Sequence, residues 1–189
     1  MTILETDRLI LRPWQERDRD LFFEINSDPQ VMEFFPFRRD REQSDAFFDT
    51  LLERQAKKIT YPAAELRSTG ECVGFCGLHE SDAEPPHIPA GTIEIGWRLA
   101  TRYWGKGYAT EGALAALDYG FTELGLPEIV SFAVHDNRRS TAVMERIGMR
   151  RDTAGDFDHS NIPDTHPHLR RHVFYRLTAA DWRNKKGGL

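Results

Sequence analysis

Apolar residues fall along this chain in short runs of two different periods. Leu21, Phe22 and Ile25 recur at helical spacing within residues 18–26, a run that Ser27-Asp28-Pro29 ends. Phe47, Phe48, Leu51 and Leu52 form one stripe of a second helix over 42–57. Ahead of both, residues 3–12 read as a strand. Residues 63–79 read as a hairpin, with the turn at Ser68-Thr69-Gly70-Glu71. A loop over 81–91 carries Pro85, Pro86, Pro89 and Gly91. A strand over 92–100 follows, then a helix over 109–124 stopped by Gly125-Leu126-Pro127. The pattern continues with a strand over 129–134, a helix over 140–147 stopped by Gly148, a polar stretch rich in His, Asp and Pro, and a last strand over 172–177. The order is roughly β-α-α-β-β-β-α-β-α-β-β, with no internal repeat. Hairpins early and βαβ-like alternation later predict an α/β fold with a mixed sheet and helices on both faces.

The 189 residues suit a single domain over 1–189 with a real core. Hydrophobic residues at 40% and charged residues at 29% are ordinary for a globular chain. No apolar run approaches the roughly 20 residues of a membrane helix. The N-terminus has no basic segment before an apolar one, so a cytoplasmic protein without a membrane partner is expected. A net charge of −5 argues against non-specific nucleic-acid binding. Cys72 and Cys76, in one strand, would stand roughly 13 Å apart at ~3.3 Å per residue, too far for a disulfide. They read as core thiols, and no metal is expected: His159, His166, His168 and His172 match no compact ligand spacing.

Chemistry concentrates in Ile93-Glu94-Ile95-Gly96-Trp97-Arg98-Leu99 and the stretch Trp104-Gly105-Lys106-Gly107-Tyr108-Ala109-Thr110 after it. A strand feeding a glycine-containing turn that opens a helix is an anion site. The first helical turn has unpaired N–H groups and the positive end of the dipole, and glycine lets the main chain approach closely. Two other phosphate motifs fail. Thr110 stands where the dinucleotide fingerprint needs its third glycine, and no Gly-x-x-x-x-Gly-Lys-Ser/Thr run exists.

At these residues the chain resembles the GNAT acetyltransferases, and among them the RimJ/RimL-like branch. Their coenzyme A motif, Gln/Arg-x-x-Gly-x-Gly/Ala, is met by Trp104-Gly105-Lys106-Gly107-Tyr108-Ala109, with Trp in first place as a feature of that branch. Thr6-Asp7-Arg8-Leu9-Ile10-Leu11-Arg12-Pro13 and the run Asn137-x-x-Ser140-x-x-Val143-x-Glu145-x-x-Gly148-Met149 are similar to it as well, so the likeness spans about residues 3–152. It implies a mostly antiparallel, twisted sheet splayed at a V, acetyl-CoA as co-substrate, an amine acceptor and, often, a homodimer. It implies that main-chain groups of Trp97, Arg98 and Leu99 bind the pantetheine arm as an added strand would. The N–H groups of Gly105, Lys106, Gly107, Tyr108, Ala109 and Thr110 would hold the pyrophosphate, and Asn137 would touch the cofactor from across the V.

Two readings stand for most of these side chains. Glu94 is either a solvated or arginine-paired strand carboxylate, with Arg98 the nearest candidate, or the general base that takes the amine's proton. Ser140 either caps the helix over 141–147 or protonates the departing thiolate. The tyrosine that many relatives carry seven residues after the asparagine is Met144 here, which cannot donate a proton. Asn137 is a turn former or a cofactor contact, and Lys106 a loop lysine or a phosphate contact. Arg102, Arg138 and Arg139 are candidates for the 3′-phosphate. Phe34-Phe35-Pro36-Phe37 lines the acceptor site or fills core, and Trp14, Trp97 and Trp182 are packing residues. The expected reaction is direct transfer in a ternary complex, with a backbone N–H near Leu99 steadying the oxyanion. An α-amine, with a pKa of about 7.7–8.0, keeps a useful neutral fraction at pH 7, which favours a protein or peptide N-terminus over lysine. The alternatives are a small amine (polyamine, amino acid, antibiotic) or a coenzyme A-binding sensor without catalysis.

Overall fold

The computed structural model describes residues 3–56, 59–82 and 88–187. Met1, Thr2, Lys57 at the end of the second expected helix, and Pro85 and Pro86 of the expected loop lie outside them. The described chain runs β1 (Leu4–Glu5), β2 (Leu9–Arg12), α1 (Arg19–Ser27), α2 (Arg41–Arg54), β3 (Ala63–Leu66), β4 (Cys72–Glu80) and β5 (Ile93–Leu99). It continues with α3 (Tyr108–Thr122), β6 (Glu128–Val134), α4 (Arg138–Ile147), β7 (Arg150–Arg151), β8 (Phe157–Asp158), β9 (Arg171–Thr178) and α5 (Ala179–Gly187). The strands form one open sheet in the order β1-β2-β3-β4-β5-β6-β9-β7, with β8 also paired to β9. All neighbours are antiparallel except β5 and β6, which run parallel. The mixed, mostly antiparallel sheet with helices on both faces is therefore present. No described helix is long and apolar enough to cross a membrane.

Residues 3–12 do not form one strand. They fold back at Thr6, whose N–H donates to the Leu9 carbonyl at 2.9 Å and whose Oγ1 accepts from the Leu9 N–H at 2.8 Å. A threonine hydroxyl that satisfies the backbone locally offers the chain a turn in place of a ladder. The helix expected over 140–147 also begins earlier, at Arg138. Asn137 caps it, accepting from the Ser140 N–H at 3.1 Å, because a bond from its own N–H to the Val134 carbonyl at 2.8 Å holds it where β6 ends. Ser140 is thus inside the first turn and is not the cap. Gly148, with φ +94°, ends the helix as expected. The short strands β7 and β8 and helix α5 carry too little periodicity to be read from sequence.

Alternation along β4 and β5 decides which residues meet which helix. Cys76, Leu78, Ile95 and Leu99 face α3. That helix presses close because Gly112 and Gly120 leave room: a Cβ on Gly112 would lie 3.0 Å from the Cys76 Sγ, and one on Gly120 2.8 Å from Ile129 Cδ1. Phe75, His79, Glu94 and Arg98 face the other side, where α1 lies. The free, largely buried thiols of Cys72 and Cys76 are held protonated by burial, that of Cys72 pushed up to about 12. The α1 side is tied to the sheet by a buried cluster: Arg12 donates to Asp18 at 2.6 and 2.8 Å and to Glu65 at 2.7 Å. Trp14 and Trp182 are packing residues, as expected, each only 3–5% exposed.

Candidate functional site at the splay of the sheet

β5 and β6 share only the register Glu94↔Val130 and then part. The cause is visible one residue on. The buried Ser131 hydroxyl donates to the Ile95 carbonyl at 2.8 Å, replacing the next ladder bond and closing the apex of the V. Main-chain groups of a strand alternate between its two edges. The Ala100 N–H turns to β4, where it bonds the Val73 carbonyl at 3.0 Å, so Arg98 also turns that way. Trp97 and Leu99 turn into the V. The Leu99 carbonyl accepts from the Trp104 indole at 2.8 Å, which leaves the Trp97 groups and the Leu99 N–H along an edge with no strand beside it. Ser131→Ala should cost about 1–3 kcal/mol in a urea titration, because it strands a buried carbonyl. Unchanged stability would mean that the hydroxyl does not close the apex.

The loop after β5 meets the expectation of an anion cradle in its geometry. Gly105 and Gly107 have φ of +72° and +82°, a region costly for other residues, and Gly107 is the residue from which α3 starts. These two glycines occupy the small positions of the motif with Arg102 first, two residues before the expected register that begins at Trp104. The six N–H groups from Gly105 to Thr110 donate to no protein acceptor among the described residues. A run of unpaired N–H groups at the start of a helix suits an anion such as a phosphate. The N-terminal hairpin braces the loop. Glu111 accepts from Thr6 Oγ1 at 2.6 Å and from the Arg8 N–H at 2.9 Å, and Arg8 Nη1 donates to the Lys106 carbonyl at 2.9 Å. The Thr6-Asp7-Arg8 motif thus serves the loop from 98 residues away. Lys106 itself is exposed, its Nζ 5.5 Å from the Tyr103 ring centroid.

On the α1 face, Glu94 is partly buried. Burial pushes its carboxyl up to about 7, opposed by a hydrogen bond from the Tyr61 hydroxyl. Tyr61 is the residue that sequence reasoning missed. Its ring lies over Gly96, where a Cβ would stand 3.0 Å from the ring and its hydroxyl, and it stacks on Phe75 (centroids 4.9 Å apart) and His79 (4.8 Å). Phe75 pairs with Arg98 and His79 with Glu94 across the β4–β5 ladder. Tyr61 sits in a segment with no periodic pattern, so only the glycine at 96, between two outward-facing side chains, hinted at a ring above the strand. Arg98 is not the ion-pair partner of Glu94. Its Nη1 donates to Asn26 Oδ1 at 2.8 Å, and its guanidinium lies over Phe35 at 4.3 Å.

The remaining candidates divide. Arg139 stacks on Trp104 at 4.6 Å, which places the start of α4, with Asn137 and Ser140, beside the loop. The Ser140 hydroxyl is half-buried and has no hydrogen-bond partner among the described residues. Met144 is in the core, 1% exposed. Arg139 is engaged by Glu33 at 2.5 Å and Arg102 by Glu24, whereas Arg138 has no carboxylate partner among the described residues. Trp97 packs against the main core. Phe34 joins a small cluster with Val134, Ile162 and Leu169, while Phe35 and Phe37 are exposed beside Arg98 and Arg39. Among the histidines, His172 stacks on Phe157 at 5.4 Å, and burial lowers its pKa to about 4, so it is neutral at pH 7. Among the described residues no group of three or more His, Cys, Asp or Glu converges as metal ligands.

Comparison with known proteins agrees with this geometry. Residues 8–150 match the family described as an acetyltransferase (GNAT) domain. The chain is 35% identical over 150 residues to the uncharacterized protein YkkB of Bacillus subtilis, covering 78% of this chain and 85% of that one. It is 34% identical over 152 residues to the uncharacterized N-acetyltransferase YnaD of the same organism, covering 79% and 83%. A crystal structure of a GNAT-family acetyltransferase from Bacillus anthracis superposes with a TM-score of 0.77 at 27% identity, over 95% of this chain and 99% of that one. The splayed mixed sheet, the loop of free N–H groups at the start of α3 and the match over residues 8–150 lead to one conclusion: the chain belongs to the GNAT acetyltransferases, enzymes that transfer an acetyl group from acetyl-CoA to amines.

Proposed function

We propose that this chain is a single-domain, cytoplasmic N-acetyltransferase of the RimJ/RimL-like branch whose acceptor is an α-amine, with a protein or peptide N-terminus as the leading class. The observation that carries the reading is the place of Glu94: one partly buried carboxylate on the strand that forms one arm of the V, its pKa pushed up to about 7 by burial. A base of that strength suits an amine of pKa about 7.7–8.0 and is poorly matched to a lysine near 10.4.

Acetyl-CoA supplies the activated thioester. The N–H groups of Gly105 to Thr110 hold its pyrophosphate, the main-chain edge at Trp97 and Leu99 aligns its pantetheine arm, and Asn137 flanks it from α4. Arg98 contributes no main-chain contact in this reading, because its groups turn to β4. The amine nitrogen bonds to the acetyl carbon as the carbon–sulfur bond breaks. Glu94 takes the amine's proton, directly or through water. The Leu99 N–H steadies the oxyanion, and Ser140 or water returns a proton to the sulfur. Tyr61 orients the Glu94 carboxylate, and its hydrogen bond keeps that carboxylate from an even higher pKa.

Free-thiol release from acetyl-CoA, measured with peptides, amino acids, polyamines and aminoglycosides, tests the reading. Acceptor-dependent release, faster at pH 7 with α-amines than with polyamines, is expected. Tight coenzyme A binding with no acceptor-dependent release on any amine would instead make the chain a coenzyme A sensor.

A further inference from the structure

Two arginines on the Glu94 face, Arg39 and Arg98, lack the carboxylate partner that Arg41, Arg102 and Arg139 have. Arg41 is paired with Asp20 at 2.7 Å, Arg139 with Glu33 and Arg102 with Glu24. Arg39 and Arg98 have no carboxylate within 4 Å among the described residues. They converge on one neutral oxygen instead: Asn26 Oδ1 accepts from Arg98 Nη1 at 2.8 Å and from Arg39 Nη1 at 3.4 Å. Asn26 is fully buried and locked by a bond from its Nδ2 to the Phe22 carbonyl at 2.7 Å, so the oxygen is a fixed anchor that aims both guanidinium groups. Phe35 and Phe75 flank Arg98 at 4.3 and 5.4 Å, and Phe37 lies under Arg39 at 4.7 Å.

Two cations held side by side in apolar surroundings without a counter-charge are costly. Burial lowers both pKa values, that of Arg98 to about 10, with Arg39 adding repulsion. The arrangement is relieved by an anion, and a planar carboxylate is the partner that guanidinium forks grip best. Alternation along β5 puts Arg98, Gly96 and Glu94 on one face, the Cα atoms of Arg98 and Glu94 roughly 13 Å apart at ~3.3 Å per residue before their side chains extend, with the Tyr61 ring over Gly96 between them.

We infer that the acceptor amine belongs to a molecule that also carries a carboxylate, which Arg39 and Arg98 bind while the amine lies at Glu94. The inference rests on the α-amine reading above and narrows it. It excludes polycations as good acceptors, because like charges would meet at the arginine pair.

The test uses the full chain, acetyl-CoA and matched acceptors: peptides beginning with Asp or Glu and amidated at the C-terminus, their Asn and Gln counterparts, free aspartate and glutamate, and spermidine. The carboxylate member of each pair should show kcat/KM at least about tenfold above its amide counterpart, the scale of one charge-assisted hydrogen bond. That ratio should fall toward one in Arg98→Met and in Arg39→Met, with Arg98→Lys keeping part of it. Circular dichroism confirms that each variant is folded, and Arg39→Met serves if Arg98→Met does not fold. Peptides against free amino acids tell whether the carboxylate comes from an acidic first residue or a small molecule. Equal rates on acid and amide, preference for spermidine, or a ratio that survives both substitutions would overturn the inference and leave acetyl transfer to amines standing. Silence on every amine would overturn the proposed function itself, and this inference with it.

Discussion

Glu94→Gln should lower turnover about 10²–10⁴-fold, the usual worth of a general base, and at the same time raise the melting temperature at pH 8. The two effects have one cause. Burial raises the Glu94 pKa to about 7, so the folded protein holds this proton more tightly than the unfolded chain does. The stabilising contribution is complete below about pH 4.5 and is lost as the pH rises through about 7. Above that value the fold carries a partly buried carboxylate at a cost of ~3 kcal/mol at full burial, nearer ~1–2 kcal/mol once solvent screening is counted. Glutamine carries no such cost and occupies the same volume. A gain of about 2–6 °C at pH 8, vanishing at pH 4, is expected by calorimetry. In the parent enzyme turnover should climb with pH and level off above about 7, and the variant should lose that limb. Unchanged turnover with the same pH profile would remove Glu94 as the base. Lost turnover without the alkaline gain would mean that its carboxylate is better solvated than its position between the Tyr61 hydroxyl and the strand implies.

Arg12→Met should destabilise the protein by about 3–5 kcal/mol at pH 7, the cost of breaking a buried ion cluster by removing one partner. Methionine restores much of the volume, so packing is not the source. Among the described residues Asp18, 2% exposed, then keeps only the Gln15 N–H at 2.9 Å, and Glu65 only Arg17 at 2.8 Å. Both carboxylates then stay buried with too little positive charge. Arg12→Met combined with Asp18→Asn, which removes one of the two stranded charges, should recover part of the loss. Equal stability of parent and Arg12→Met in guanidinium titrations at pH 7 would show that the cluster contributes nothing net. The cluster ties β2, the turn before α1 and β3 together. It therefore also holds α1, with Asn26, against β5.

Much of the scaffold was legible because its signals are local. Helical spacing marked α1 through Leu21, Phe22 and Ile25, and Gly148 marked the end of α4. The hairpin of β3 and β4 announced itself by its turn. Where local signals competed, the reading failed: the Thr6 hydroxyl broke the first strand, and Asn137 displaced Ser140 as a cap.

The sequence by itself determined the glycine loop and the strand before it, since glycines at 105 and 107 and a helix start need no distant partner to form this turn. It also placed Glu94 and Arg98 on one face, by alternation alone. Tertiary structure alone decided what those side chains do. Tyr61 reaches Glu94 only because Gly96 has no Cβ. Asn26 and Arg39 reach Arg98 only because α1 and the segment after it lie over β5, and Ser131 closes the V only where β6 meets Ile95. Each of these contacts joins residues more than thirty positions apart, except Asn26 with Arg39. Their energies come from burial and from shared hydrogen bonds, which arise only when the chain has closed around them.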